Sequence, residues 1–327
     1  QAEHLRRRLG AQRFVTPALP VIPLGIHIAD FHFSDAARAS ARQRIGADSR
    51  TLVVLYTGRL SFHAKAHPLA MYQALEIAAS RLPAGQKVLL VECGWHANDF
   101  IARAFTDAAQ AACPSVGTAF LDGRVPENRS TAWASADVFC SLSDNIQETF
   151  GIVPIEAMAA GLPVVVSDWD GYKDTVRDGV DGFRVPTLMP APGLGTDMAY
   201  RHALEIDNYD VYCGNACSLI AVDVPATADS FARLFSSEAL RRQMGEAGRS
   251  RAVEFFDWAR IIPRYEALWA ELGEIRRRSA APPPPAPLAW PARMDPFAAF
   301  AAYPTVTLTG ETRLSLIHEG PAVLAER

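Results

Sequence analysis

Two carboxylates, Glu148 and Glu156, stand with seven residues between them around a Phe150-Gly151 pair in DVFCSLSDNIQETFGIVPIEAMAAGLPVVVSDWDG, residues 137–171. The apolar run ending near Ser141 to Ser143 predicts a strand, the polar residues after it predict a loop carrying Glu148, and Gly151 followed by Pro154 predicts a helix start. Proline is tolerated in a first helical turn because its missing N–H has no intrahelical partner there. A strand tip, a glycine and an uncapped helix start present free N–H groups and the positive end of the helix dipole, which suits phosphate. A carboxylate beside a phosphate repels it, so the partner expected for Glu148 and Glu156 is a hydroxyl-rich group next to the phosphate, a ribose or a hexose. TGRLSFHAK, residues 57–65, follows the first strand of the domain and supplies Arg59 and Lys65. Two such cations with a helix N-terminus could neutralise a diphosphate without a metal. Together these features point to a nucleotide diphospho-sugar.

Other polar residues carry weaker signals. His63, His67 and His96 have no sequence partner that makes a catalytic dyad; His63 lies inside the expected diphosphate loop. Asp144 and Asn145 precede Glu148 on the same polar loop and are candidates for sugar or acceptor contact, with a plain turn as the alternative. His27, Asp30 and His32 have metal-like spacing but fall where an interdomain segment is expected, and no metal site is expected. The five cysteines, Cys93, Cys113, Cys140, Cys213 and Cys217, form no paired pattern and read as reduced thiols. Arg6 to Arg8 and Arg276 to Arg278 read as solvated runs at helix ends.

The elements that must hold these groups alternate. TLVVLYT, KVLLVEC, TAFLDG, DVFCSLS, PVVVSD and GFRVP are short apolar runs, and amphipathic segments near residues 68–81, 98–112, 127–134, 153–160 and 172–178 separate them. Runs apolar on both faces and separated by helices predict a doubly wound α/β domain with a parallel sheet, its ligands at the carboxyl ends of the strands. Residues 187–217 break the pattern with Pro, Gly, Asn and Asp and read as an irregular insertion, and helical spacing returns over residues 225–278. APPPPAP, residues 281–287, reads as a polyproline spacer, and the tail after it, with Trp290, Phe297, Phe300 and Tyr303, is expected to dock. The expected divisions are therefore residues 1–50, 51–187, 188–280 and 281–327.

The stretch from Glu148-Thr149-Phe150-Gly151 to Glu156-Ala157-Met158-Ala159-Ala160-Gly161-Leu162-Pro163-Val164-Val165 resembles the two-glutamate signature of the family 4 (group 1) glycosyltransferases, and Gly58-Arg59 with Lys65 resembles their diphosphate clamp. The Ala136-Asp137-Val138 strand start extends the likeness, which covers about residues 20–187. It implies the C-terminal, donor-binding half of a GT-B fold, two Rossmann-like halves facing across a cleft. It further implies a retaining, metal-independent transfer from a UDP-, GDP- or ADP-sugar to an acceptor hydroxyl, with no other cofactor. By the same likeness Arg59 and Lys65 neutralise the diphosphate, Glu148 contacts the transferred sugar and Glu156 binds the ribose. The amides of Phe150, Gly151 and Ile152 face sugar and phosphate beside Thr149, and Gly123, Arg124 and Val125 lie beside the base. Two features differ from the family pattern: five residues separate Arg59 from Lys65, one more than is common, and Asp170-Gly171 stands where Gly-Gly is usual.

Of the 327 residues, 49% are hydrophobic and 21% charged, enough for a sizeable core, which excludes disorder of the whole chain. A net charge of -4 provides no field for nucleic acid, and no apolar run is long enough to span a membrane. A cytoplasmic enzyme is expected. Only about 50 residues precede the donor domain and the chain begins at Gln1 without an initiator Met, so most of the acceptor half is expected upstream or elsewhere, leaving this chain inactive or weak alone. The alternatives from other classes are a non-catalytic nucleotide-sugar-binding module of a larger assembly and a GT-B nucleotide-sugar epimerase.

Overall fold

The computed structural model describes residues 19–278 together with Glu311 and Arg313. The polyproline segment, the aromatic residues after it and Arg6 to Arg8 lie outside the described residues. The chain divides into two compact units, residues 1–268 and residues 269–327; apart from Glu311 and Arg313, the described part of the second is the end of one long helix, where Arg277 pairs with Glu274.

The first unit is built on a six-stranded parallel sheet: β1 Thr51–Leu60, β2 Lys87–His96, β3 Gly117–Asp122, β4 Val138–Ser141, β5 Val164–Ser167 and β6 Gly182–Val185. Their order is β3-β2-β1-β4-β5-β6, so the direction of winding reverses between β1 and β4. That switch point is where open α/β sheets leave a crevice at their carboxyl edge. Side chains alternate along β1 as pleating requires: Leu52, Val54 and Tyr56 enter one core layer, Val53 and Leu55 the other. The first layer is completed by Tyr72 and Leu75 of α2 (Leu69–Ala79), Phe105 of α3 (Asp99–Ala112) and, after a long excursion, Phe231 and Leu234 of α9 (Val224–Ser236). The second holds Trp133 of α4 (Pro126–Ser135), Ile155 and Met158 of α5 (Ile152–Ala159), Tyr172 of α6 (Tyr172–Thr175) and Ala252 of α10 (Glu238–Phe255). Burial on both faces is why the strands read as continuous apolar runs, and the doubly wound parallel architecture is as expected.

β1 and β2 are longer than the sequence suggested. β1 runs on through Gly58, Arg59 and Leu60, which pair with Gly94, Trp95 and His96 of an equally extended β2, so Arg59 ends a strand and does not open a loop. The amino-terminal segment contains α1 (Asp35–Arg44), which is tied to the sheet. Arg38 and Arg42 reach Asp137 at 2.5 and 2.8 Å, and the Asp137 carboxylate accepts the Val53 N–H of β1 at 2.9 Å. The Asp of the Ala136-Asp137-Val138 strand start thus fastens β4, β1 and α1 together.

The excursion after β6 is also more ordered than its composition suggested. β7 (Thr187–Leu188) and β8 (Ala221–Val222) pair antiparallel and close off a loop that carries α7 (Thr196–Ala203) and α8 (Tyr209–Cys217). Asn208 caps α8 by accepting the Val211 N–H at 2.9 Å, Arg201 pairs with Asp207 at 2.7 Å, and the His202 ring stacks on Tyr212. α7 is only two turns long and buries no residue, and α8 buries only Cys213 and Cys217 and shows no apolar stripe by which a helix is recognised in sequence. α11 (Trp258–Arg278) follows α10, and Ile26 bridges their junction through Phe256 and Trp258. All five cysteines are free and buried, and among the described residues no helix is long and apolar enough to cross a membrane.

Candidate functional site

At the switch point, β1 delivers Arg59 to the carboxyl edge of the sheet. The exposed Arg59 guanidinium donates to the Ala64 carbonyl at 3.0 Å. The Lys65 and Ala66 N–H groups both donate to the Ser61 carbonyl, closing a turn that takes up the five residues between Arg59 and Lys65 and carries Lys65 across to β4. There the Lys65 ammonium pairs with the Glu148 carboxylate. Two further bonds join the turn to the loop after β4: Asn145 Nδ2 donates to the His63 carbonyl at 3.0 Å and Ser143 Oγ to the Lys65 carbonyl at 3.4 Å. Residues far apart in sequence thereby form one surface.

Glu148 has a second neighbour. The Tyr172 hydroxyl lies 3.4 Å from Glu148 Oε2 and 2.8 Å from Ser141 Oγ. Burial and the nearby Glu148 charge hold the Tyr172 phenol well above its ordinary range, so it stays protonated and can donate to that carboxylate. The sequence marked Tyr172 only as the start of a short helix; the one signal that could have raised it is its place directly after Asp170-Gly171.

Gly151 is the N-cap of α5 at φ 85°, and a Cβ there would lie 2.3 Å from the Tyr172 ring. Both its left-handed backbone and the aromatic ring against it require glycine. It offers no capping side chain, so the first N–H groups of α5 keep their hydrogen-bonding capacity for something else. The Phe150 ring packs edge-on against Phe256, while Thr149 and Ile152 are exposed. Gly171 is pressed on the Phe150 backbone, where a Cβ would lie 2.4 Å from the Phe150 Cα. Asp170 takes φ 31°, a conformation that costs a non-glycine residue about 1–2 kcal/mol.

Glu156 lies one turn into α5, half-buried, and desolvation raises its carboxyl to about 7 against an opposing pull from Arg129. Arg129 Nη1 donates to the Gly123 carbonyl at 3.1 Å, which links Glu156 to the turn after β3. In that turn Gly123 donates to the Gly94 carbonyl at 2.8 Å, Val125 is the N-cap of α4, and Arg124 grips Asp122 at 2.7 Å, holding that carboxyl down near 2. The predicted residues therefore fall in two groups on the same edge. Gly58, Arg59, Lys65, Glu148 and the 149–152 loop form one. Gly123, Arg124 and Val125 form the other, with Glu156 coupled to it through Arg129, a residue the sequence did not single out.

The remaining candidates separate. His63 and His67 share a cavity with Asp144, whereas His96 packs between Phe105 and Phe120 at the end of β2. His32 meets Arg249 at 2.7 Å. Among the described residues no three His, Cys, Asp or Glu side chains are grouped to hold a metal.

Residues 37–188 match the family model of glycosyl transferases group 1. This segment is a group 1 glycosyltransferase domain. Among its curated relatives are a phosphatidyl-myo-inositol mannosyltransferase of Mycobacterium leprae, 34% identical over 40% of this chain and 25% of its own, and a D-inositol 3-phosphate glycosyltransferase of Rhodococcus jostii, 30% identical over 64% and 47%. The chain thus spans at most about half the length of these relatives. In fold, the glycosyltransferase domain is similar to Anabaena Alr3699/HepE in complex with UDP and glucose, 19% identical with a TM-score of 0.54, over 77% of this chain and 56% of that one. The sheet and its helices are one Rossmann-like half of the GT-B architecture.

Proposed function

We propose that this domain binds a nucleoside diphosphate sugar and that the whole protein transfers the sugar to an acceptor hydroxyl, with retention at the anomeric carbon and without a metal ion. One observation carries the reading: at the carboxyl edge where the sheet order reverses, Lys65 pairs with Glu148 three residues before the uncapped start of α5 at Gly151, and Arg59 at the end of β1 is bonded to the turn that carries Lys65. In this reading the two cations and the amides of Phe150, Gly151 and Ile152 neutralise the diphosphate as it leaves. Glu148 faces the transferred sugar, where it stabilises positive charge developing at the anomeric carbon. Glu156 accepts from the ribose hydroxyls, and the Gly123 to Val125 turn lies beside the base. A second half of the protein, facing this edge, completes the acceptor site and excludes water. Five free, buried thiols support a reducing, cytoplasmic setting.

Titration calorimetry with UDP, GDP, ADP and the corresponding nucleosides tests this reading. UDP comes first because the Anabaena neighbour was solved with it. Arg59→Ala should weaken the preferred diphosphate by about 1.5–3 kcal/mol, the contribution of a charge-assisted bond, and leave the nucleoside unaffected. Equal losses for both would remove the clamp assignment. For transfer by the whole protein, inositol and its derivatives are the first acceptors to try, since both curated relatives are named for inositol-containing compounds.

A further inference from the structure

A cavity of about 560 Å³ adjoins the turn that carries Lys65. Phe62, His63 and His67 line it from that turn, Asp144 from the loop after β4, and Asn208 and Asn215 from around α8. The α8 wall belongs to the excursion beyond residue 188, where the match to the family model ends. Asp144 is the anchor of the argument. It is only 5% exposed; Oδ2 accepts the His67 N–H at 3.3 Å, while Oδ1 is buried with no partner. A buried acceptor without a donor costs about 1–3 kcal/mol, a cost that a hydroxyl donated by a ligand removes.

The rest of the lining narrows that ligand. Besides Asp144 it offers the Asp210 carboxylate, two amides, two imidazoles and the Ser218 hydroxyl, and it contains no Lys or Arg, so an anion finds no counter-charge. The carboxylates and imidazoles do not group as metal ligands. The Phe62 ring supplies an apolar face. Acceptors and amides around one aromatic ring match a compact molecule with hydroxyls at its edge and C–H groups on its face. Position completes the case: the backbone of His63 is held by Asn145, and Lys65, two residues on, is paired with Glu148.

We propose that this cavity binds a neutral sugar or polyol and serves as an acceptor subsite beside the donor diphosphate, built in part by a helical excursion beyond the residues that match the family model; the acceptor role rests on the nucleotide-sugar reading above. The experiment titrates the full chain with methyl α-glucoside, methyl α-mannoside and myo-inositol by protein-observed NMR, with UDP and inorganic phosphate in parallel. Asn215→Trp fills the cavity from an exposed position that spares the core, and Asp144→Asn replaces the ionisable carboxyl while keeping an acceptor for His67 N–H. At least one polyol should bind and weaken about tenfold or more in both variants, a loss of about 1.4 kcal/mol or more, while Asn215→Trp keeps its UDP affinity. The proposal is overturned if no polyol binds, if binding survives both substitutions, or if inorganic phosphate displaces the polyol. Polyol binding that responds to Asn215→Trp in a chain that ignores UDP would instead sink the donor reading and the acceptor role, leaving a sugar site.

Discussion

Glu148 and Glu156 flank the same helix start in different surroundings, and this makes them separable by ligand. Glu148 is held by Lys65 and Tyr172, so Glu148→Ala frees a cation and removes a negative charge; nucleoside diphosphate affinity should stay level or rise, and the loss should appear only with the intact sugar donor. Glu156→Ala should weaken diphosphate and sugar donor alike, by about 1.5–3 kcal/mol if the carboxylate receives ribose hydroxyls. Calorimetry with both ligands decides: identical losses for Glu148→Ala with and without the sugar would refute its role. Because burial raises the Glu156 carboxyl to about 7, it gains charge as pH climbs through neutrality and becomes the stronger acceptor. Nucleotide affinity should therefore rise across that range, and Glu156→Gln should flatten the rise.

At the scale of elements, the start of α5 and the middle of β2 are held by opposite means. Gly151→Ala forces a side chain into a left-handed conformation and against the Tyr172 ring, an expected loss of about 2–4 kcal/mol in chemical denaturation. Glu92, buried in β2, accepts the Tyr72 hydroxyl at 2.7 Å; burial raises its carboxyl to about 7, with the Tyr72 bond opposing. The folded chain keeps that proton after the unfolded chain has lost it, so this group's contribution to stability falls as pH rises from its ordinary value of 4.5 to about 7. Glu92→Gln keeps an acceptor for Tyr72 and cannot ionise. It should leave stability unchanged below the lower limit and raise it by about 2–3 kcal/mol above the upper one, measured as urea midpoints at each pH. A pH-independent difference would show that the carboxyl titrates normally.

For the molecule as a whole, the Asp137 clamp holds the amino-terminal segment to the sheet that carries the site. Asp137→Ala leaves Arg38 and Arg42 without their carboxylate and β1 without an acceptor for Val53 N–H, an expected cost of about 3–5 kcal/mol. A thermal melt should fall by roughly 6–20 °C, at about 2–4 °C per kcal/mol for a unit of this size. Nucleotide affinity, measured where the variant is still folded, should be unchanged, because none of these groups faces the carboxyl edge. A fall in affinity without a fall in melting temperature would reverse that assignment.

The sequence by itself determined the order of strands and helices from Thr51 to Val185, because parallel strands buried on both faces require unbroken apolar runs and their crossovers require helical spacing. It also located the glycine at the start of α5 and the charged residues around it, since helix starts and strand tips are local chemistry. Only the tertiary structure decided which of those charges meet. Lys65 finds Glu148 because a turn closed on Ser61 brings it across, and Tyr172 reaches Glu148 from the next crossover; neither contact leaves a spacing to read. The same holds for Asp137, whose partners lie in α1 and β1, and for α8, which buries too little to print a period on its residues. Patterns record how an element meets the core; they are silent on how two loops meet each other, and that is where this site is assembled.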